Sequence, residues 1–253
     1  MVQVKALACE LPATHGLPLS HWNTPDIAQQ VRQSGLVATK AGRILDLYAR
    51  TWDGKPLRGD EFVISADEKT SIQARRRIHP SSPPQPHRPM LVEHEYARCG
   101  AWVYIAALDI HHAHVFGRCE ATTGIAPFDR LVEQVMTRPP YNEARRVFWV
   151  VDNGSSHRGA ASVARLQNKF RRLTLVHGPV HASWLNQIEI YFSILQRKVL
   201  SPNDFSGLET LAERLLDFQY YWEATAKPFE WQFTRRDLTA LLSKCPAVNR
   251  VAA

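Results

Sequence analysis

The sequence predicts an α/β fold, a mixed sheet flanked by helices on both faces, and three observations point there. Short apolar, partly β-branched runs recur at 62–66, 102–108, 114–119, 147–151 and 173–176, the lengths expected of strands. Between and after them lie stretches whose apolar residues repeat every three or four positions, as on one face of a helix. The order is three strands, a helix, a strand, a helix, a strand and then helices, which suits helices packed on both faces of one sheet.

Taken in order, residues 1–40 read as a short helical appendage. Thr24-Pro25-Asp26 is a helix start, with Thr as N-cap, Pro in the first helical position and an acid in the first turn. That helix turns Ile27, Ala28 and Val31 inward and stops near Gly35; a second helix from Thr39 to about Arg50 completes either a partial helix-turn-helix or a plain helical hairpin. Phe62-Val63-Ile64-Ser65-Ala66 forms a strand that ends at Asp67-Glu68. Residues 79–89 hold five prolines, which remove backbone donors and fix φ, so an extended loop is expected. Trp102–Leu108 and His114–Cys119 are two strands joined by a turn, and a helix carrying Phe128, Leu131, Val132, Val135 and Met136 follows. Val147-Phe148-Trp149-Val150-Val151 is a continuous apolar run, the mark of a central strand covered on both faces, and it ends at Asp152. A helix over 160–170, a strand at 173–176 and a helix with Ile188, Phe192 and Leu195 come next. Ser206-Gly207-Leu208-Glu209 is a capping box opening a helix through Leu211, Leu215 and Phe218, and a last helix follows Thr234.

Composition bounds the function. With 253 residues, 45% hydrophobic and 22% charged, the chain can build one large domain with a small appendage. It has no run of eighteen apolar residues and no apolar segment behind a basic start, so no membrane partner and a cytoplasmic location are expected. The four cysteines, Cys9, Cys99, Cys119 and Cys245, are scattered, which disfavours a zinc site or disulfide framework. The net charge of +7 favours a polyanionic partner through phosphate neutralisation. Basic clusters recur at Arg75-Arg76-Arg77, Arg145-Arg146, Lys169 with Arg171-Arg172, and Arg197-Lys198; alone, each is equally a solvated turn or helix end.

The chemistry rests on three acids. Asp67 and Asp152 each follow an apolar strand run, and acids at carboxyl ends of strands fall on the rim where open α/β sheets place ligands. If the two strands are neighbours, the carboxylates converge. Glu189 lies about 100° around its helix from the inward-facing Ile188, so it looks along that rim. Three carboxylates on separate elements suit hard divalent cations, and two such ions about 3.5–4 Å apart support in-line phosphoryl displacement. Strand-end acids also serve as helix caps and salt-bridge partners, so spacing alone leaves both readings open. Two other constellations carry less: His111-His112-Ala113-His114 sits at a turn without acid or cysteine partners, and Ser155-Ser156-His157 lacks a nucleophile elbow. Phe229, Trp231 and Phe233 are read as core packing in preference to a base-stacking platform.

Three segments add a resemblance. Ser65-Ala66-Asp67-Glu68-Lys69-Thr70, Val150-Val151-Asp152-Asn153-Gly154-Ser155-Ser156-His157 and Ser183-Trp184-Leu185-Asn186-Gln187-Ile188-Glu189 resemble the three acidic motifs of bacterial insertion-sequence transposases, the DDE-type enzymes related to the Tc/mariner superfamily. The order matches, and 36 residues lie between Asp152 and Glu189 (positions 153–188), close to the usual spacing of that group. The resemblance runs from about residue 43 to about 243. It implies a ribonuclease-H-like core with two Mg²⁺ or Mn²⁺ ions, hydrolysis of a phosphodiester at a transposon end, and attack of the freed 3′-hydroxyl on target DNA. By the same resemblance Asp67 and Asp152 are metal-bridging and first-metal ligands, and Glu189 completes the second site. Asn153, His157 and Asn186 stand beside the acids, either orienting ligands and phosphate or closing turns. Double-stranded DNA, both transposon ends and target, and a second copy of the chain in a homodimer are the implied partners. Arg75, Arg76, Arg77, Arg197 and Lys198 are the candidate DNA contacts.

The sequence departs from that family before the catalytic region. Such transposases carry two helix-turn-helix units and a linker there, whereas Leu36-Val37-Ala38-Thr39-Lys40-Ala41-Gly42 leads straight into the pre-catalytic helix. The expected organisation is therefore a partial helix-turn-helix remnant over 1–42 and a catalytic domain over 43–253, as in a truncated, internally deleted copy. Competing expectations are a catalytically inactive DNA-binding fragment that interferes with the full-length enzyme, and a nuclease of the same fold acting on RNA–DNA hybrids.

Overall fold

A computed structural model describes residues 35–154, 157, 159–179 and 182–243. The helix expected at Thr24 lies outside them, as do Ser155 and Ser156. Helix α1 (Gly35–Tyr48) leads into a two-residue hairpin, β1 (Thr51–Trp52) and β2 (Lys55–Pro56). The expected boundary between residues 42 and 43 falls inside α1, whose Ala41, Ile44, Leu45 and Leu47 are all buried. Then follow β3 (Glu61–Arg77), β4 (Tyr96–Asp109), β5 (Val115–Glu120), α2 (Ile125–Met136), β6 (Arg146–Val151), α3 (Ala160–Lys169) and β7 (Leu173–His177). A 3₁₀ turn, Ser183–Leu185, precedes α4 (Ile188–Lys198), and α5 (Leu208–Thr225) and α6 (Arg235–Ser243) complete the described chain.

The expected mixed sheet is present: five strands in the order β5-β4-β3-β6-β7. β5, β4 and β3 are antiparallel neighbours, while β3, β6 and β7 run parallel. Because side chains alternate across a strand, each strand feeds two cores. Val63, Tyr104, Ala106, Phe148, Val150 and Val176 face α1, α4, α5 and α6. Phe62, Ile64, Ile105, Val147, Trp149 and Val151 face α2 and α3. The 147–151 run is apolar throughout because it is buried on both faces.

Two sequence expectations need correction. β3 does not end at Asp67 but runs ten residues further, to Arg77. Its parallel partner β6 stops at Val151, yet β4 continues beside β3 through Arg77↔Tyr96, so hydrogen bonding carries the strand on. Arg75-Arg76-Arg77 is thus strand, neither turn nor helix end. The helix-start box of α5 also shifts by one residue. Gly207 is the N-cap, and its N–H donates to Thr210 Oγ1 at 3.2 Å, so Thr210 and not Glu209 returns to the cap. The reciprocal box is instead at α6, where the Thr234 N–H donates to Asp237 Oδ2 (2.8 Å) and the Asp237 N–H to Thr234 Oγ1 (3.3 Å).

The proline-rich segment links β3 and β4 without a strand of its own, held by bridges Ser82↔Leu91 and Gln85↔Arg88. Phe229, Trp231 and Phe233 pack inward against Trp222, Tyr48 and Trp184. Among the described residues, no helix is long and apolar enough to cross a membrane.

Candidate active site

The topology decides where the acids meet. Ser65 of β3 is in register with Val150 of β6, so two residues further on Asp67 of β3 stands beside Asp152, the residue that follows β6. Side-chain alternation puts Ser65 and Asp67 on the face that holds α4, and Glu189 lies in the first turn of α4. Their electrostatics register this convergence. Burial, with the charges of Asp152, Glu189 and Glu68, pushes the Asp67 carboxyl up to about 7, although the Glu68 N–H donates to its Oδ1 at 2.8 Å. The side chain of Glu189 reaches the surface, yet packing around its carboxyl and the charge of Asp152 raise its pKa, while Lys69 pulls it down.

Asp152 is held differently. The buried His157 donates from Nε2 to Asp152 Oδ1 at 2.7 Å, and the Gly154 N–H donates to the same oxygen at 2.7 Å. The His157 bond is the chief reason this carboxyl sits below the usual range. Phe128 packs on the imidazole with ring centroids 4.7 Å apart, and His177 Nε2 donates to the His157 carbonyl at 2.8 Å. Gly154 is needed for close approach: a Cβ there would lie 2.9 Å from Asp152 Oδ1 and 3.0 Å from His157 Cε1. Asn153 ties the loop after β6 to the next strand, donating from Nδ2 to the Gly178 carbonyl at 2.8 Å.

Asn186 joins two motifs. Its buried carboxamide donates to Asp67 Oδ2 and to the Ala66 carbonyl, each at 3.0 Å, and accepts from the Ser65 hydroxyl. Ser65 Oγ in turn accepts the Ile188 N–H at 2.9 Å, one of the amides left open at the start of α4. Tyr48 of α1 donates to the Leu185 carbonyl at 2.5 Å. The start of α4, and with it Glu189, is therefore fastened to β3 beside Asp67. Ser65 and Tyr48 escaped the sequence reading. The available signal was a lone hydroxyl, fully buried, inside the apolar run 62–66.

The basic candidates separate. Arg77 is committed to the fold, donating to the carbonyls of Glu93 and Asn203. Arg75 stacks on Tyr96 at 4.5 Å and lines a cleft of about 490 Å³ beside Lys69. Arg76 is exposed on the strand, and exposed Arg197 and Lys198 lie in the last turn of α4, with Arg197 donating to Ser193 Oγ at 2.9 Å. The histidines at 111–114 hold no metal cluster: His112 Nδ1 lies 3.0 Å from Asp109 Oδ2 at the other end of β3.

Among the described residues, no three His, Cys, Asp or Glu side chains close into a metal-binding cluster. The donor chemistry nonetheless fits a hard cation. The three carboxylates offer oxygen only, and the burial and mutual repulsion that raise Asp67 are what a divalent ion would offset.

A five-stranded mixed sheet with helices on both faces and three acids converging on one rim defines a ribonuclease-H-like core. Residues 63–212 match the family model of the DDE superfamily endonucleases, and the chain belongs to that family. The fold is also that of solved Mos1 structures. The Mos1 mariner paired-end complex with Mn superposes at TM-score 0.51 with 17% identity, covering 84% of this chain and 60% of that one. A pre-cleavage Mos1 transpososome superposes at 0.50 with 16% identity, covering 87% and 69%, and the Mos1 paired-end complex with Mg at 0.50 with 15%, covering 95% and 69%. The chain thus spans 60% of the length of the first of these. No curated protein sequence matches the chain.

Proposed function

We propose that the chain is the catalytic part of an insertion-sequence DNA transposase, with α1 packed as part of the catalytic unit. It hydrolyses a phosphodiester at a transposon end and joins the freed 3′-hydroxyl to target DNA. The observation that carries this reading is the meeting of Asp67, Asp152 and Glu189, one acid from each of three elements, within the region that matches the DDE endonuclease family. Asp67, Asp152 and Glu189 are the residues that would hold two Mg²⁺ or Mn²⁺ ions; such ions, when bound, activate the attacking oxygen and stabilise the leaving one.

The chain's own residues prepare that chemistry. His157 and the Gly154 N–H both engage Asp152 Oδ1, which leaves Oδ2 to face outward as a ligand. Asn186 fixes the rotamer of Asp67 and the distance of Glu189 from it through Ser65. Water adds to the phosphorus and the P–O3′ bond breaks, leaving a 3′-hydroxyl and a 5′-phosphate. In the joining step that hydroxyl displaces another 3′-oxygen from target DNA. The duplex is the partner class favoured by the +7 charge, and a second copy of the chain brings the two transposon ends together. A reducing cytoplasm suits the free Cys99 and Cys119.

Joining is the test that separates a transposase from a plain nuclease. A labelled duplex with a free 3′-hydroxyl, incubated with plasmid and Mn²⁺, is expected to become covalently attached to the plasmid. Cleavage of RNA–DNA hybrid without joining would reject the proposal in favour of a ribonuclease. A second reading is DNA binding without cutting, for which the +7 charge alone would serve. Tight duplex binding with neither nicking nor joining would support it.

A further inference from the structure

Two clefts without a carboxylate in their lining adjoin the triad from opposite sides. The first, about 420 Å³, opens along β7 and is lined by Lys40 and Arg43 of α1, with Trp52, Asn153 and His177. It begins one residue from Asp152. The second, about 490 Å³, is the cleft of Lys69, Arg75 and Gln73, and it begins two residues from Asp67. Each contains at least two cations. The other basic clefts differ. That of Arg58 and Arg146 includes Asp53 and Glu61, and Arg58 and Arg146 pair with Asp60 and Glu61. In that of Lys169 and Arg172, Lys169 pairs with Glu133 and Arg172 donates to the Asn142 carbonyl.

An acid-rich rim that works on a polyanion faces a charge problem, since its own carboxylates repel the substrate. Cations on both sides of the rim solve it. We infer that a DNA strand crosses the sheet edge from β7 to α4, with Lys40 and Arg43 holding phosphates on one side of the reacting bond and Lys69 and Arg75 on the other. This rests on the phosphoryl-transfer reading above and names the substrate path of that site. The dimensions agree: β7, β6 and β3 are consecutive strands, so the path spans two strand spacings, about 10 Å, or roughly three base-pair rises of 3.4 Å along the duplex axis. Each flanking cleft then meets the phosphates next to the reacting one. Arg43 lies over the Trp52 ring at 5.8 Å, which orients its guanidinium; Arg75 over Tyr96 at 4.5 Å repeats the device on the far side. Lys40 and Arg43 precede the matched region 63–212, so α1 supplies substrate contacts to a core that begins after it.

The test is the salt dependence of binding, which needs no turnover. Wild-type chain, Lys40→Gln/Arg43→Gln, Lys69→Gln/Arg75→Gln and the control Lys169→Gln/Arg171→Gln are titrated onto a fluorescent 30-base-pair duplex in EDTA between 50 and 200 mM salt. Each phosphate contact contributes about 0.9 to the slope of log K against log salt. Both flanking variants are expected to lower the slope by about 2 and weaken binding at least tenfold at low salt. The control removes the same charge at the opposite ends of β6 and β7 and is expected to stay within a twofold change. Arg43→Lys is expected to keep the wild-type slope, which a loss of Trp52 packing would not allow; circular dichroism checks that each variant is folded. Equal slopes for all three double variants, or an unchanged slope for either flanking pair, would overturn the path. If the wild type nicks DNA while the flanking variants bind unchanged, the path fails and the phosphoryl-transfer reading stands. If the wild type neither binds nor cuts duplex, both fall together.

Discussion

The two ends of the central sheet treat negative charge in opposite ways. At the end where β4 turns into β5, the buried carboxylate of Asp109 is fully matched. Asp109 accepts from Tyr141 OH at 2.8 Å, from the backbone N–H groups of His111 and His112, and from His112 Nδ1 at 3.0 Å. Away from that turn, on the edge strand β5 opposite Val103, Glu120 is matched as well: it accepts from Arg130 at 2.6 Å and Arg118 at 3.0 Å, and these partners hold its pKa down. At the other end Asp67 is pushed up to about 7 and Glu189 is raised, each by burial and by fellow acids. Carboxylates of the first kind hold the fold together. Those of the second kind crowd together with Lys69 offsetting only part of their charge, and that surplus marks a place for a ligand.

The comparison can be broken by substitution at either end. The largest effect is expected at the matched end. Asp109→Ala strands the Tyr141 hydroxyl and two amides in a buried site and is expected to lower stability by about 3 kcal/mol in urea titrations. A loss below about 1 kcal/mol would show that this network is not structural. Asn186→Ala comes next. It frees Asp67 and the start of α4 together, and a 10- to 100-fold loss of nicking with little change in DNA affinity is expected, the range of lost ligand-orienting partners. A comparable drop in DNA affinity would instead place Asn186 in substrate binding. A third test, of Asp67 itself, sharpens the contrast most. A carboxyl whose folded pKa of about 7 exceeds its unfolded value of 3.8 contributes stability that is complete below 3.8 and is lost as pH rises through 7. Metal-free wild type is thus expected to lose stability relative to Asp67→Asn as pH rises from 4 to 8. Mg²⁺ restores the wild type alone. Parallel pH profiles for the two proteins would remove the claim that Asp67 is held short of positive charge.

What the sequence revealed follows from where its physics is local. The run 147–151 announces a doubly covered strand, and Asp152 at its end needs only that strand to be placed. Glu189 could be placed around its helix by counting from Ile188. The second half of β3 could not be seen, because Glu68 to Arg77 is mostly polar and pairs with the largely exposed start of β4, a ribbon without an apolar stripe to declare its period. The Ser65–Asn186 bond was hidden for another reason: it spans 121 residues and depends on the register of β3 against α4. The role of α1 was hidden likewise, since Lys40 and Arg43 reach the rim only after α1 packs beside β7.

The account stands most directly on metal-dependent nicking of supercoiled plasmid, measured at low salt with Mg²⁺ or Mn²⁺ for the wild type beside Asp152→Asn. The expected result is cleavage that requires the ion and falls more than about a thousandfold in the variant, equivalent to about 4 kcal/mol of transition-state stabilisation. Cleavage that survives the substitution, or a folded wild type that binds the ion and duplex yet leaves the plasmid intact, would contradict it.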